Sequence, residues 1–329
     1  MNMLLGVAVM LGKMALVLGV VLTAAAYLVL LERKLLGRMQ LRYGPNRVGF
    51  FGLLQPLADT VKMLLKEDTV PEGADRFVYL AAPALAAAPV LLSFAVVPFG
   101  EPLVLFGRSI PLVVTDLNVG LLFVLAMSSL GVYGVALAGW ASDNKYSLLG
   151  GIRAAAQMVS YEIPLALSLV PVVMLARSLN LSEIVAAQDK CWFLFMQPVS
   201  FALFLLSAMA ESRRIPFDLP EAENELMAGF HTEYSGMRFG LFFLGEYMNM
   251  ILLGLLVSIF FLGGWRGPLL PPLVWLGLKT FLVPVFLIWT RASLPRLRYD
   301  QLMALGWKVL IPVALANALV TGAVLVLWP

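Results

Sequence analysis

Two glutamates stand where an ionisable side chain is costly. Glu162 lies in Gln157-Met158-Val159-Ser160-Tyr161-Glu162-Ile163-Pro164, and Glu246 lies in Phe243-Leu244-Gly245-Glu246-Tyr247, each inside a long apolar stretch. A charge at bilayer depth costs roughly 2.5–3.5 kcal/mol on insertion scales, so such residues face a bundle interior or water and mark ion paths. The chemistry they could do is to hold and pass protons. The competing reading is a hydrogen bond between helices that only locks packing, or a side chain that reaches back to the interface. The same choice stands for Asp116, at the start of a third-span stretch, and for Lys279, early in a seventh. A denser acidic group follows in the segment from 211: Glu211, Asp218, Glu221, Glu223, Glu225 and Glu233. Closely spaced acids repel, so some should hold protons near neutral pH, which suits proton entry or relay. A solvated loop would carry acids cheaply, but Ile215-Pro216-Phe217 and Leu226-Met227-Ala228-Gly229-Phe230 are too apolar for an idle loop.

Other chemistry is excluded by composition. The chain has one cysteine, Cys191, and one histidine, His231. An iron–sulfur cluster generally needs four thiolates and structural zinc needs four N or S ligands, so neither can be built here. No Walker loop and no G-x-G-x-x-G after a strand pattern is present. Electron or nucleotide chemistry must sit on a partner.

The elements that position these residues are membrane spans. Hydrophobic residues make up 61% of the chain and charged residues 13%, with mean hydropathy +0.90. A soluble domain carries about 25% charged residues. Taking about 20 apolar residues per span, eight spans are expected, near 11–31, 78–98, 117–139, 154–176, 193–210, 239–262, 273–290 and 307–328. The fold class is therefore an all-α integral membrane protein, one polytopic domain over 1–329, with amphipathic surface helices. Basic residues concentrate in the 1–2, 3–4, 5–6 and 7–8 connections, whereas the opposite connections hold Arg108, Arg177, Lys190 and Arg266. By the positive-inside rule the 1–2 and 5–6 loops are cytoplasmic and both termini periplasmic. In the 1–2 loop, Leu53, Leu54, Leu57, Val61, Leu64 and Leu65 form one stripe and Gln55, Asp59, Lys62 and Lys66 the other. That predicts a helix over 53–65, either lying in the headgroup layer or walling a lipid-accessible cavity. No fixed-period repeat is visible, which weighs against a transporter of inverted repeats.

A family resemblance rests on motifs spread along the chain. They are Glu32-Arg33-Lys34, Gln40-Leu41-Arg42-Tyr43-Gly44-Pro45-Asn46-Arg47-Val48-Gly49, Gly52 to Asp59, Lys66-Glu67, Ser160-Tyr161-Glu162, Glu211-Ser212-Arg213 through Glu233-Tyr234, Leu241 to Tyr247, Arg291-Ala292, and Pro295 to Leu302. In this order they resemble the quinone-site membrane subunit of respiratory complex I, the proton-pumping NADH:quinone oxidoreductase.

The resemblance implies a place at the heel of an L-shaped complex in the bacterial inner membrane. Partners would be the iron–sulfur arm subunits of the quinone site, small membrane subunits, antiporter-like subunits and lipid, with no nucleic acid. Quinone would be the substrate, while NADH, FMN and iron–sulfur clusters would belong to partner subunits. Arg33, Arg42, Asp59, Glu67 and Arg291 would line the quinone chamber. Quinone would enter from lipid between spans one and six, past the amphipathic helix. Glu162, Glu211, Asp218, Glu221, Glu223, Glu225, Glu233 and Glu246 would connect quinone chemistry to the pumping subunits. Membrane subunits of energy-converting hydrogenases resemble the chain more weakly, because they generally lose the run seen here from Pro216 to Glu223. A stand-alone secondary transporter and a purely structural anchor are the other readings; the first predicts broken helices in paired halves, and the second needs no buried carboxylates.

Overall fold

A computed structural model describes residues 2–105, 108–220 and 227–327. The helices in chain order are α1 (Asn2–Met39), α2 (Gln55–Leu65), α3 (Arg76–Ser93), α4 (Gly120–Ala141), α5 (Lys145–Ala176), α6 (Leu181–Ala186), α7 (Phe193–Met196), α8 (Pro198–Glu211), α9 (Gly236–Phe261), α10 (Pro272–Ser293) and α11 (Tyr299–Leu327). Among the described residues, seven are long and apolar enough to cross a membrane: α1, α3, α4, α5, α9, α10 and α11. The protein is an all-α membrane bundle with one small addition, an antiparallel hairpin pairing Leu103–Leu105 with Arg108–Ile110.

The fifth expected span, 193–210, is not one continuous helix. It is divided into α7 and α8 at Gln197, whose φ of −131° and ψ of 58° leave the helical region. The cause is Pro198, which has no N–H to continue the ladder and disfavours the helical region for the residue before it. Other ends shift as well. The 78–98 span stops as a helix at Ser93, and the last begins at Tyr299, eight residues before the expected 307, running through a π-helical turn at Leu305–Leu310. Residue 328 lies outside the described residues.

Helix α9 is the axis of the bundle and packs on α1, α3 and α10. Its residues from Leu252 to Phe261 are all buried. Helix α5 packs between α4, α8 and α11. Two close approaches set the spacing. A Cβ on Gly134 would meet the Ala86 backbone nitrogen at 2.4 Å, so α4 lies directly on α3. A Cβ on Gly150 would meet Gly229 Cα at 2.7 Å, so α5 carries the 5–6 connection against itself.

The described parts of that connection, 212–220 and 227–235, pack into the bundle. Phe217, Leu219, Phe230 and Tyr234 are buried, and the Tyr234 ring stacks on Tyr79 of α3 at 4.1 Å. Gln157 of α5 donates to the carbonyls of Ala210 and Phe217 at 2.8 and 2.7 Å. The Leu297 amide donates to the Pro216 carbonyl, which ties the 5–6 and 7–8 connections together.

Candidate proton and quinone site

At the end of α8 the chain turns through Arg213, whose φ of 53° lies in the left-handed region. A side chain there costs roughly 1–2 kcal/mol. The turn sends two consecutive arginines back into the bundle, both more than nine-tenths buried. Arg213 Nη2 lies 3.3 Å from Glu246 Oε1, and Arg214 Nη2 lies 3.7 Å from Glu246 Oε2. Arg214 Nη1 also donates to Glu32 Oε1 at 3.1 Å. Glu32, buried at the loop end of α1, accepts a further bond from Arg291 of α10. The guanidinium of Arg214 sits 4.6 Å over the Tyr247 ring and that of Arg213 5.0 Å over Phe230. Burial alone would lower the pKa of Arg214, but Glu32, Tyr247 and Glu246 together hold it above the ordinary arginine value. It therefore stays charged, and α1, α8, α9 and α10 meet at one ionic knot.

Beside this knot is a cavity of about 60 Å³ lined by Glu162, Glu211, Arg213 and Glu246, with Ser93, Ser128 and Asn249. A water needs on the order of 10–15 Å³ of such space, so the cavity has room for several. Adjacent serines of α4 point to different neighbours: Ser128 donates to Glu211 and Ser129 to Glu162. Asn249 shares a face of α9 with Glu246, three residues away. Among the described residues, Nε and Nη1 of Arg213 have no hydrogen-bond partner, which suits a wet lining. Three carboxylates from three helices thus share one cavity whose remaining lining is mostly apolar.

The remaining acids sit around it. Asp218 pairs with Arg296 at 3.3 Å. Burial raises the Asp218 carboxyl above its ordinary value, with Arg296 opposing. Glu233 accepts from Asn144 at 2.6 Å. Glu221, Glu223 and Glu225 lie outside the described residues.

Of the expected chamber residues, Arg33 and Asp59 are brought together, while Arg42, Glu67 and Arg291 stand at separate places near the same end. Arg33 and Asp59 pair at 2.7 Å, joining α1 to α2. Helix α2 also lies close on α9, where a Cβ on Gly240 would meet Met63 Sδ at 2.9 Å. Leu57, Val61, Leu64 and Leu65 remain exposed on its outer stripe. Between α2 and residues 228–239 is a cleft of about 450 Å³ lined by Arg33, Asp59, Lys62, Lys66 and His231. Arg42 lies with Lys34 and Arg38 around a separate cleft of about 490 Å³, its Nε donating to Gln40 at 2.8 Å. Glu67 is exposed, and its carbonyl accepts from Ser235. Arg291 belongs to the ionic knot through Glu32. An apolar groove of about 550 Å³ runs between α1, α9 and α10, lined by Tyr27, Leu28, Leu31, Ile251 and Leu255 among others.

Asp116 and Lys279 lie apart from all of these. Asp116 is exposed at the opposite end of the bundle, where Asn180 donates to it at 2.9 Å. Lys279 is buried there, with backbone carbonyls as partners. Sequence reasoning missed Glu32 and Arg214 as a pair, and Ser128 and Ser129 as donors. Glu32 carries a usable signal, since it ends an apolar span; the serines carry none.

Residues 12–322 match the NADH dehydrogenase family. A protein of Syntrophobacter fumaroxidans, named as a subunit of NADH-quinone oxidoreductase, is 68% identical over 328 residues, covering 100% of this chain and 99% of the relative. A Geobacter metallireducens protein with the same enzyme in its name is 64% identical over 98% of both chains. Another such protein, from Rhizobium meliloti, is 50% identical over 98% of this chain and 99% of its own. The chain belongs to this family of NADH-quinone oxidoreductase subunits. It is accordingly a subunit of an enzyme of the oxidoreductase class rather than a stand-alone transporter. These relatives match over nearly their full length, so the cavity, the ionic knot and the two clefts all lie inside the shared region.

Proposed function

We propose that this chain forms the membrane side of a quinone chamber in a proton-translocating NADH:quinone oxidoreductase and couples quinone reduction to proton movement through buried carboxylates. The observation that carries the reading is the shared chamber of Glu162, Glu211 and Glu246, joined through Arg213 and Arg214 to Glu32 and Arg291 at the end where α2 lies. NADH, FMN and iron–sulfur clusters sit on partner subunits, among them the arm subunits of the quinone site. Small membrane subunits and antiporter-like subunits flank the chain in lipid.

In this reading quinone comes from the membrane along the apolar groove beside α1 and α9 and passes α2. Arg33, Arg42 and Arg291 offer electropositive donors to its headgroup, and Asp59 and Glu67 set the charge around them. Charge change in the chamber shifts the 211–238 segment, where Asp218, Glu221, Glu223, Glu225 and Glu233 respond by protonation or position. Glu211, Glu162 and Glu246 pass the change sideways through water in their cavity. The basic loops face the cytoplasm and both termini the periplasm, in the bacterial inner membrane.

The test is to purify the chain with its native partners and measure two activities. Arg42→Ala and Asp59→Ala should lower quinone turnover at least tenfold while electron transfer to a hydrophilic artificial acceptor on the arm stays within twofold. Unchanged quinone turnover in assembled complexes would overturn the chamber role of those residues.

A further inference from the structure

The carboxylate cavity is lined in part by apolar side chains of α9. Leu252, Leu253 and Leu256 of α9 line it, and from Leu252 to Phe261 every residue of α9 is buried. Phe204 of α8 closes on this stretch, its ring centroid 6.2 Å from Phe260 and 5.7 Å from Phe261. From Leu256, the last residue of α9 on the cavity, to Leu262 the helix axis advances about 9 Å at 1.5 Å per residue, roughly a third of a hydrocarbon core near 30 Å. The one polar side chain of that stretch, Ser258, donates to the Gly254 carbonyl and is satisfied there.

At the far end of this dry column stands a buried cation. Lys279 of α10 is 3% exposed. Its Nζ donates to the carbonyls of Leu262, Gly264 and Arg266 at 2.5, 2.9 and 2.6 Å, which uses all three of its protons. It also lies 4.7 Å from the Trp192 ring and 5.6 Å from that of Trp275. The carbonyls belong to the C-terminal end of α9 and the turn after it, where helix carbonyls lack intrahelical partners and a cation is favoured. Gln188 fixes the same turn from the other side, donating to the Ile259 carbonyl at 2.7 Å and accepting from the Gly263 amide at 3.0 Å. The charged pair of Arg266 with Asp189 at the same turn is more exposed.

We propose that Lys279, with the apolar column from Leu256 to Phe261 beneath it, is a proton seal at the end of the bundle opposite the 211–238 segment. A dry column offers no water chain for proton transfer, and a fixed positive charge at its mouth repels an incoming proton, as basic residues do in proton-excluding pores. The carboxylate cavity then opens only toward the loop end and sideways to partner subunits. This rests on the coupling reading above for its purpose, but its test does not need that reading.

The experiment measures passive proton leak in proteoliposomes holding the purified complex, with an imposed pH gradient and no NADH or quinone. The variants are Lys279→Gln, Lys279→Arg and Leu256→Asn, each normalised to assembled complex. The native complex and Lys279→Arg should hold the gradient equally. Lys279→Gln and Leu256→Asn should each collapse it at least threefold faster. If assembled Lys279→Gln and Leu256→Asn complexes are as tight as the native one, the seal is refuted. If Lys279→Gln does not assemble, Leu256→Asn, which leaves the ammonium and its three carbonyls in place, decides alone. Quinone turnover in the same preparations reports separately on the coupling reading.

Discussion

Arg214 Nη1 lies 3.1 Å from Glu32 Oε1, although the two residues are 182 positions apart in the chain. Both are buried, and the pair joins the first span to the segment after α8. Removing one partner of a buried ion pair strands a charge and costs about 3–5 kcal/mol, whereas replacing both with apolar groups is often near neutral. Glu32→Leu should therefore sharply lower the melting temperature of the purified complex. Glu32→Leu with Arg214→Met should recover more than half of that loss, because Glu246 keeps Arg213 and Arg291, about one-third exposed, can turn to solvent. Differential scanning of the three complexes checks it, and additive losses in the double variant would contradict it.

Orientation is open to a labelling test. Tyr43 is 93% exposed in the first connection. A cysteine there, in a Cys191→Ser background, should react with an impermeant maleimide in inside-out vesicles and not in right-side-out ones. Reaction only from the periplasmic face would reverse the proposed topology.

The approach of Gly150 to Gly229 predicts a loop defect without a charge change. A methyl group at 150 meets backbone atoms, which cannot swing aside as a side chain end would. Overpacking of this kind costs about 1–3 kcal/mol. Gly150→Ala should loosen the 229–235 segment, seen as faster limited proteolysis between α8 and α9, while Gly131→Ala, which meets open space, should leave the rate unchanged.

The apolar stretches and the amphipathic helix, expected over 53–65 and found over Gln55–Leu65, were legible in the sequence because composition and 3.6-residue periodicity report which faces avoid water. The division at Gln197 was signalled by Pro198, but a proline is common enough in membrane helices that its effect depends on the neighbours. The Glu32–Arg214 pair was not legible, since it depends on how α1 docks against the end of α8. Lys279 could be seen to be unusual, yet not that its partners would be carbonyls. Backbone acceptors leave no mark in side-chain sequence. Ser128 and Ser129 look like small packing residues until α5 and α8 are placed on either side of α4.

The structure also separates the three cavity glutamates as test positions. Glu246 faces Arg213 and Arg214, so a neutral residue there disturbs an ion pair as well as a proton site. Glu162 and Glu211 instead accept from serine hydroxyls, and a glutamine carbonyl can accept the same bond with nearly the same shape. What glutamine cannot do is titrate.

The most direct measurement of the central claim is quinone turnover and proton translocation in proteoliposomes for Glu162→Gln and Glu211→Gln, normalised to assembled complex, with Glu162→Asp and Glu211→Asp beside them. The account predicts that the glutamine variants assemble, lose at least tenfold in quinone-linked proton translocation, and fall below the aspartate variants. Full translocation in both glutamine variants would contradict it and leave the carboxylates as packing residues.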